Sequence, residues 1–365
     1  MVTKPVDKQF LGITVALIVA GFFIFISASM GLHARGNIAF GAVVFKQIAL
    51  GLVLGTCALL LASRTHYRFW KHYAPHIFGI CILLMLLVFI PGMGISHGGA
   101  QRWVSILGFS FQPAEFLKVG FVMFLASWLS RSRGKIHNFS HGLMPVLVML
   151  AIAGTLLILQ PDAGTFLIIA ATATAMYIAA GASIKDILIL VLMGMIAFSL
   201  LVAVKPYILD RLKTFVHPSE DSLGSGYQIQ QSLIAIGSGE LFGRGFGQSV
   251  QKFNLLPEPI GDSIFAVAAE EFGFVGSISI LALFLFFALR GLHIASKMTD
   301  VFGGLLVVGV VIMIVSQSFV NIASMLGVFP LTGMPLLFIS QGGTALLVTL
   351  GAVGIVLNAS RYQRQ

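Results

Sequence analysis

Charge is scarce in this chain. Asp, Glu, Lys and Arg make up 10% of its 365 residues, against 58% hydrophobic residues and a mean hydropathy of +0.99. A soluble globular domain has about a quarter of its residues charged, so that class is excluded. Cysteine is almost absent. Cys57 and Cys81 both lie inside apolar runs, so both are expected to be buried packing residues and no disulfide is expected. The sequence also lacks a metal-ligand cluster, a Ser-His-Asp order and a Walker loop. Its glycine-dense GSGELFGRGFGQS has no Gly-Lys-Ser/Thr, and a lone glycine cluster is weak evidence. No small-residue cleavage site is obvious near Ser29, so the first apolar run is expected to be retained.

What the chain has is apolar runs of membrane-crossing length. They imply an all-α polytopic membrane protein with ten helices, at about 10–30, 38–62, 75–92, 112–130, 142–160, 163–181, 185–204, 263–289, 301–326 and 337–358. Runs this long suit helices rather than the ten-residue alternation of a barrel. The formal charge of +9 is dispersed between the runs, as topology signals are, and does not suggest nucleic acid. With the N-terminus inside, the cytoplasmic segments carry Lys4, Lys8, Arg64, Arg68, Lys71, Arg131, Arg133, Lys135, Lys185, Arg290, Lys297, Arg361 and Arg364. The short outer loops carry only Arg35 and Arg102. The positive-inside rule therefore places both termini in the cytoplasm.

The chain is organised around a polar, Gly- and Gln-rich outer loop, residues 205–262, between the seventh and eighth spans. Loops of this length without evident secondary structure are usually functional. Its cations Lys205, Arg211, Lys213, Arg244 and Lys252 do not reverse the charge count and need another explanation. Two other outer stretches stand out. One is Gly92–Phe111; the other is Met325–Thr344, whose prolines and glycines read as a broken or re-entrant segment.

Ionisable residues in or beside the spans are costly and face a cavity or one another. Glu115 and Lys118, three apart, share one helix face, either as a self-neutralising pair or as a polar floor beneath the outer loop. Asp162 begins a helix and can cap it. Of Glu270 and Glu271, one is expected to pair with a basic residue such as Lys46 or Lys118. Asp262 reads locally as an N-cap or as a carboxylate available for chemistry, with Glu258 just before it.

Several motifs together carry a resemblance: GGAQRWVSILGFSFQPAEFLK, LQPDAGT, GSGYQIQQSLIAIGSGELFGRGFGQSVQK, LLPEPIGDSIFAVAAEEFGFVG, FVNIASMLGVFPLTGMPLLFISQGG and LNASR. Over nearly its whole length the chain resembles the SEDS family (shape, elongation, division and sporulation). The resemblance implies a peptidoglycan glycosyltransferase of the bacterial cytoplasmic membrane, acting on lipid II and undecaprenyl-pyrophosphate-linked glycan. It implies a class B penicillin-binding protein (a transpeptidase) as partner, and leans to the division type. It makes Asp262 the catalytic carboxylate. Supporting or substrate-binding roles fall on Glu115, Lys118, Asp162, Arg102, Lys46, Arg211, Lys252, Glu258, Gln231 and Ser340. A divalent cation, Mg or Mn, is a possible cofactor for the leaving pyrophosphate. The chain departs from the family pattern at Ile260-Gly261-Asp262, usually His-Thr-Asp, and at Ser340-Gln341-Gly342-Gly343-Thr344, usually Ser-Tyr-Gly-Gly-Ser. Two rival readings are a lipid II flippase and a noncatalytic scaffold for the transpeptidase. The one-sided polar investment in the outer loops favours the enzyme.

Overall fold

The computed structural model describes residues 5–34, 40–97, 100–106, 109–218, 224–253 and 255–364. The first crossing is α1 (Lys8–Ala34). The second is built end to end from α2 (Phe40–Lys46), a π-helical stretch Gln47–Val53 and α3 (Leu54–Arg64). Then come α4 (Tyr67–Leu87), α5 (Pro113–Arg131), α6 (Leu143–Leu159), α7 (Ala163–Ala179) and α8 (Ile184–Val204). After the long loop follow α11 (Ile264–Ser296), α12 (Val301–Met325) and α13 (Gly343–Ser360). Eight of these crossings are long and apolar enough to span a membrane, and α6 and α7 are shorter apolar helices of 17 residues. At 1.5 Å per residue, 17 residues reach about 26 Å, close to a hydrocarbon core of about 30 Å. The chain is a multi-pass membrane protein. Helices α5, α12 and α13 form its buried centre, whereas Leu190 is the one buried residue of α8.

The two ends differ. At one end Arg290 pairs with Asp7 at 2.6 Å, the Asp7 amide donates to Ser360 Oγ at 3.0 Å, and Met298 bridges Gln363. Both ends of the described chain therefore sit together. At the other end lie the long loop and a small antiparallel sheet, β1 (Gly94–His97), β2 (Ala100–Ile106) and β3 (Phe109–Phe111). The sheet is the exception to an otherwise helical fold.

Four expectations change. The third span begins at Tyr67 rather than near 75, with Pro75 inside the helix. Proline there cannot bond the carbonyl of Lys71, and Ser127 Oγ of α5 donates to that carbonyl instead, at 3.3 Å. The last span begins at Gly343 rather than 337, because 330–336 form no helix and Gly333 has a φ of +68°. The long loop holds two helices, α9 (Pro206–Val216) and the glutamine-bearing α10 (Ser225–Ser238). Cys57 is exposed on the outer surface of α3, while Cys81 is buried as expected, and both are free thiols.

Helix α11 is broken at Gly273, whose φ is +65°. The break frees the carbonyls of Glu270 and Glu271 and the amides of Phe274 and Val275. The turn after α10 satisfies all four. Arg244 and Gly245 amides donate to the two carbonyls at 3.0 and 2.9 Å, and Glu240 and Leu241 carbonyls accept from the two amides at 2.8 and 3.1 Å. A side chain at Gly273 would meet the Gly243 amide at 2.3 Å, so glycine is required there.

Candidate functional site

Asp262 ends the long loop two residues before the first residue of α11. The N-cap of that helix is Ser263, so the carboxylate of Asp262 is not the cap that local sequence suggests. Its Oδ1 is shielded and has no hydrogen-bond partner, although the residue as a whole is partly exposed. Burial first, and the neighbouring Glu258 carboxylate second, raise its pKa from 3.8 to about 6; Gln228 and Arg211 act in the opposite direction. An acid with a pKa near neutrality is suited to taking a proton.

The backbone around Asp262 is held firmly. Asn321 Nδ2 of α12 donates to the Asp262 carbonyl at 2.8 Å and to the Met334 carbonyl at 2.8 Å. Ser340 Oγ donates to the Gly261 carbonyl at 2.6 Å, and the Gln341 amide donates to the Ile260 carbonyl at 2.7 Å. Gln47, at the start of the π-helical stretch, donates to the Ser340 carbonyl at 3.2 Å and accepts from the Gly342 amide at 3.0 Å. The broken segment after α12 is thus the seat of the catalytic-candidate loop.

Cations approach from two other elements. Arg211 of α9 donates to the Thr332 carbonyl at 3.1 Å and lies within electrostatic reach of Asp262, Asp162 and Arg102. Burial first, then Arg102, lower its pKa. Arg102 of β2 donates to the carbonyls of Gln160 and Pro161. Those carbonyls lie at the end of α6, where backbone dipoles favour a cation. Tyr207 of α9 lies within electrostatic reach of both arginines and Asp162, and its hydroxyl is shielded beside the Ala163 backbone. Burial is the main cause of its raised pKa. Asp162 caps α7, accepting from the Thr165 amide at 3.2 Å and Thr165 Oγ1 at 2.9 Å. Two arginines within electrostatic reach of each other favour an anion between them.

Other sequence candidates lie elsewhere. Glu115 and Lys118 do pair, at 2.9 Å and fully buried, and Lys118 also donates to Gln317 of α12. Glu270 and Glu271 pair with neither Lys46 nor Lys118. Glu271 meets Lys252 at 2.7 Å, and Arg244 approaches Glu270 at 3.6 Å. Lys252 is fully buried, also reaching Ser27 Oγ and the Gly247 carbonyl, so its ammonium is committed to fastening the loop rather than open to a ligand. Lys46 is exposed on α2, beside the start of α13. Glu258 is exposed with a φ of +45°. Gln231 is half-buried on α10, whereas Gln228, one turn earlier, is the glutamine that reaches Ser263 Oγ and Asp262. Sequence reasoning missed Gln228, Tyr207, Gln317, Asn321 and Gln47. For Gln47, Gln317 and Asn321 an amide inside an apolar run is the same signal as a buried charge, whereas Gln228 and Tyr207 lie in the polar loop and give none.

Among the described residues no three His, Cys, Asp or Glu side chains gather to hold a metal ion. A groove of about 590 Å³ lined by Gln9, Ile13, Phe286, Arg290 and His293 opens at the opposite end, away from this chemistry.

Comparisons with known proteins agree with this architecture. The family model for FtsW, RodA and SpoVE, described as "Cell cycle protein", matches residues 8–365. Stage V sporulation protein E of Bacillus subtilis is 39% identical over 362 residues, covering 99% of this chain and 98% of the relative. The "Probable peptidoglycan glycosyltransferase FtsW" of Geobacter metallireducens is 39% identical over 354 residues, covering 97% and 94%. The chain superimposes on a chain from a structure titled "Structural coordination of polymerization and crosslinking by a peptidoglycan synthase complex". There the TM-score is 0.80 at 26% identity, covering 98% and 99% of the two chains. The crystal structure of Thermus thermophilus rod shape determining protein RodA gives 0.70 at 25% identity, covering 98% of each. A full-length family match, two relatives at 39% and the same fold in RodA leave one assignment: this chain belongs to the SEDS family, on its FtsW-like side.

Proposed function

We propose that this chain is a peptidoglycan glycosyltransferase that polymerises lipid II at the outer face of the bacterial cytoplasmic membrane, with Asp262 as general base. The observation that carries the reading is the Asp262 carboxylate itself: raised to about 6, shielded at Oδ1, and within reach of the Arg211 guanidinium. In the reaction a sugar hydroxyl of lipid II attacks the anomeric carbon of the lipid-linked glycan. The new glycosidic C–O bond forms as the bond to pyrophosphate breaks, and the pyrophosphate leaves with the electron pair. The hydroxyl proton passes to Asp262. Arg211 and Arg102 hold the developing phosphate charge, and Tyr207 is placed to donate to a phosphate oxygen. A pyrophosphate leaves readily, so no second carboxylic acid is needed, unlike glycoside hydrolysis.

The orientation follows from cation placement, with both termini cytoplasmic and the Asp262 end outside. A class B penicillin-binding protein is the proposed partner; the synthase complex among the structural relatives supports this. The FtsW-named relative at 39% and the family's description as a cell cycle protein support the division-type reading.

The test is polymerisation of lipid II by purified protein with its partner. Asp262→Asn should fold and bind the partner yet lose about 100- to 10,000-fold in rate, with Glu258→Gln losing less. Polymerisation by Asp262→Asn at more than about a tenth of the normal rate would remove the base assignment and move the search to Glu115, Asp162 and Glu258, whereas no polymerisation by the unaltered protein would favour transport or scaffolding.

A further inference from the structure

Two amides stand one helical turn apart on α12, Gln317 and Asn321, both almost completely buried. Each grips the broken segment with its nitrogen: Gln317 Nε2 donates to the Pro335 carbonyl at 3.1 Å, and Asn321 Nδ2 to the Met334 carbonyl at 2.8 Å. Each also joins that segment to something charged. Gln317 Oε1 accepts from Lys118, which is paired with Glu115, while Asn321 Nδ2 holds the backbone carbonyl of Asp262. The amide orientations are fixed by their partners, because Asn321 faces two carbonyls and Lys118 can only donate. An unbroken chain of contacts therefore runs from the buried ion pair on α5, through α12 and residues 334–335, to the proposed general base.

We propose that Gln317 and Asn321 are positioning residues that couple the buried Glu115–Lys118 pair to Asp262, setting the pose and the dryness of its carboxylate. The proposal rests on the reading of Asp262 as general base. None of the three side chains Lys118, Gln317 and Asn321 needs to touch substrate. The ion pair supplies a fixed anchor in low dielectric, and the two adjacent carbonyls of 334 and 335 transmit it. Hydrogen bonds to a charged group resist displacement more than neutral ones do, so Lys118 stiffens the Gln317 end of the chain.

The experiment uses full-length protein with its transpeptidase partner in lipid nanodiscs, and lipid II as substrate. The variants are Lys118→Met, Gln317→Met, Gln317→Glu and Asn321→Leu. Rates are measured as a function of lipid II concentration and of pH from 5 to 8, on protein shown to be monodisperse. Loosening the clamp admits water to Asp262, lowers its pKa toward 3.8 and misaligns it. Each variant should lose about 10- to 100-fold in kcat with KM changed less than about threefold. In each, the acid limb of the rate profile should move to lower pH. Glu258 and Arg211, the charged side chains acting on Asp262, are untouched, so a moving limb reports the clamp. Gln317→Glu keeps an acceptor for Lys118 and loses the donor to Pro335, and it decides the matter if Lys118→Met does not fold. The double variant Gln317→Met with Asn321→Leu should lose less than the product of the single losses, as links in series do. Acid limbs that stay at the wild-type position, or strictly multiplicative losses, overturn the coupling. The base reading fails differently, by an active Asp262→Asn or a wild-type profile with no acid limb near pH 6.

Discussion

At the scale of the residue, Asp262 is costly to keep charged. Its ordinary carboxyl value is 3.8 and its folded value about 6, so the folded state holds the proton more tightly across that window. Stability is therefore highest below about 4, falls as pH rises toward 6, and stays lower at neutral pH. Asp262→Asn should raise the melting temperature at pH 7, by an amount corresponding to about 1–3 kcal/mol, and have no such effect at pH 4. A calorimetric scan at both pH values checks this; a variant less stable at pH 7 contradicts the burial argument. The motif LLPEPIGDS made Asp262 visible in the sequence, and the Glu115–Lys118 spacing made that pair visible. What surrounds Asp262 was not legible. Ser340 meets the adjoining Gly261 carbonyl across 79 residues of chain and Asn321 the Asp262 carbonyl across 59, and no local spacing encodes either meeting.

At the scale of the element, the loop segment 240–252 is fastened to α11 twice, by backbone exchange at Gly273 and by charge. Glu270 accepts from Ser249 Oγ at 2.6 Å and from the Val250 and Gln251 amides at 3.0 and 3.2 Å, and Glu271 takes Lys252. Lys252→Met leaves Glu271 charged and buried without its cation, at a cost of roughly 3–5 kcal/mol. The double variant Lys252→Met with Glu271→Gln should recover most of that loss in a thermal melt. Equal damage in both would mean that Lys252 acts through packing alone. This fastening also explains why spans were easier to read than the loop. Apolar runs report helices directly, so α5, α7, α8 and α12 begin and end within a residue or two of expectation. Pro75 misled because its freed carbonyl is satisfied by Ser127 on a neighbouring helix, and Lys252 misled because its partner lies 19 residues away.

At the scale of the whole molecule, the two ends of the bundle should face different compartments. Ser222, a natural labelling site in the loop, lies outside the described residues; Gln248 is exposed in the same loop, and Lys135 at the opposite end. In a Cys57→Ala background, Gln248→Cys should react with an impermeant thiol reagent in intact spheroplasts, and Lys135→Cys only after lysis. The reverse pattern would invert the orientation. Helix α8 has a different consequence. With Leu190 as its only buried residue, almost nothing in the protein checks what its other side chains are. Within this chain α8 is constrained by its solubility in oil and its length rather than by shape. In a saturation mutagenesis library α8 should accept nearly any apolar exchange, while a charge at Ile196 is rejected and the same exchanges on α13 are not tolerated. Across relatives α8 should therefore drift in sequence while its hydropathy stays fixed, which an alignment of the family checks.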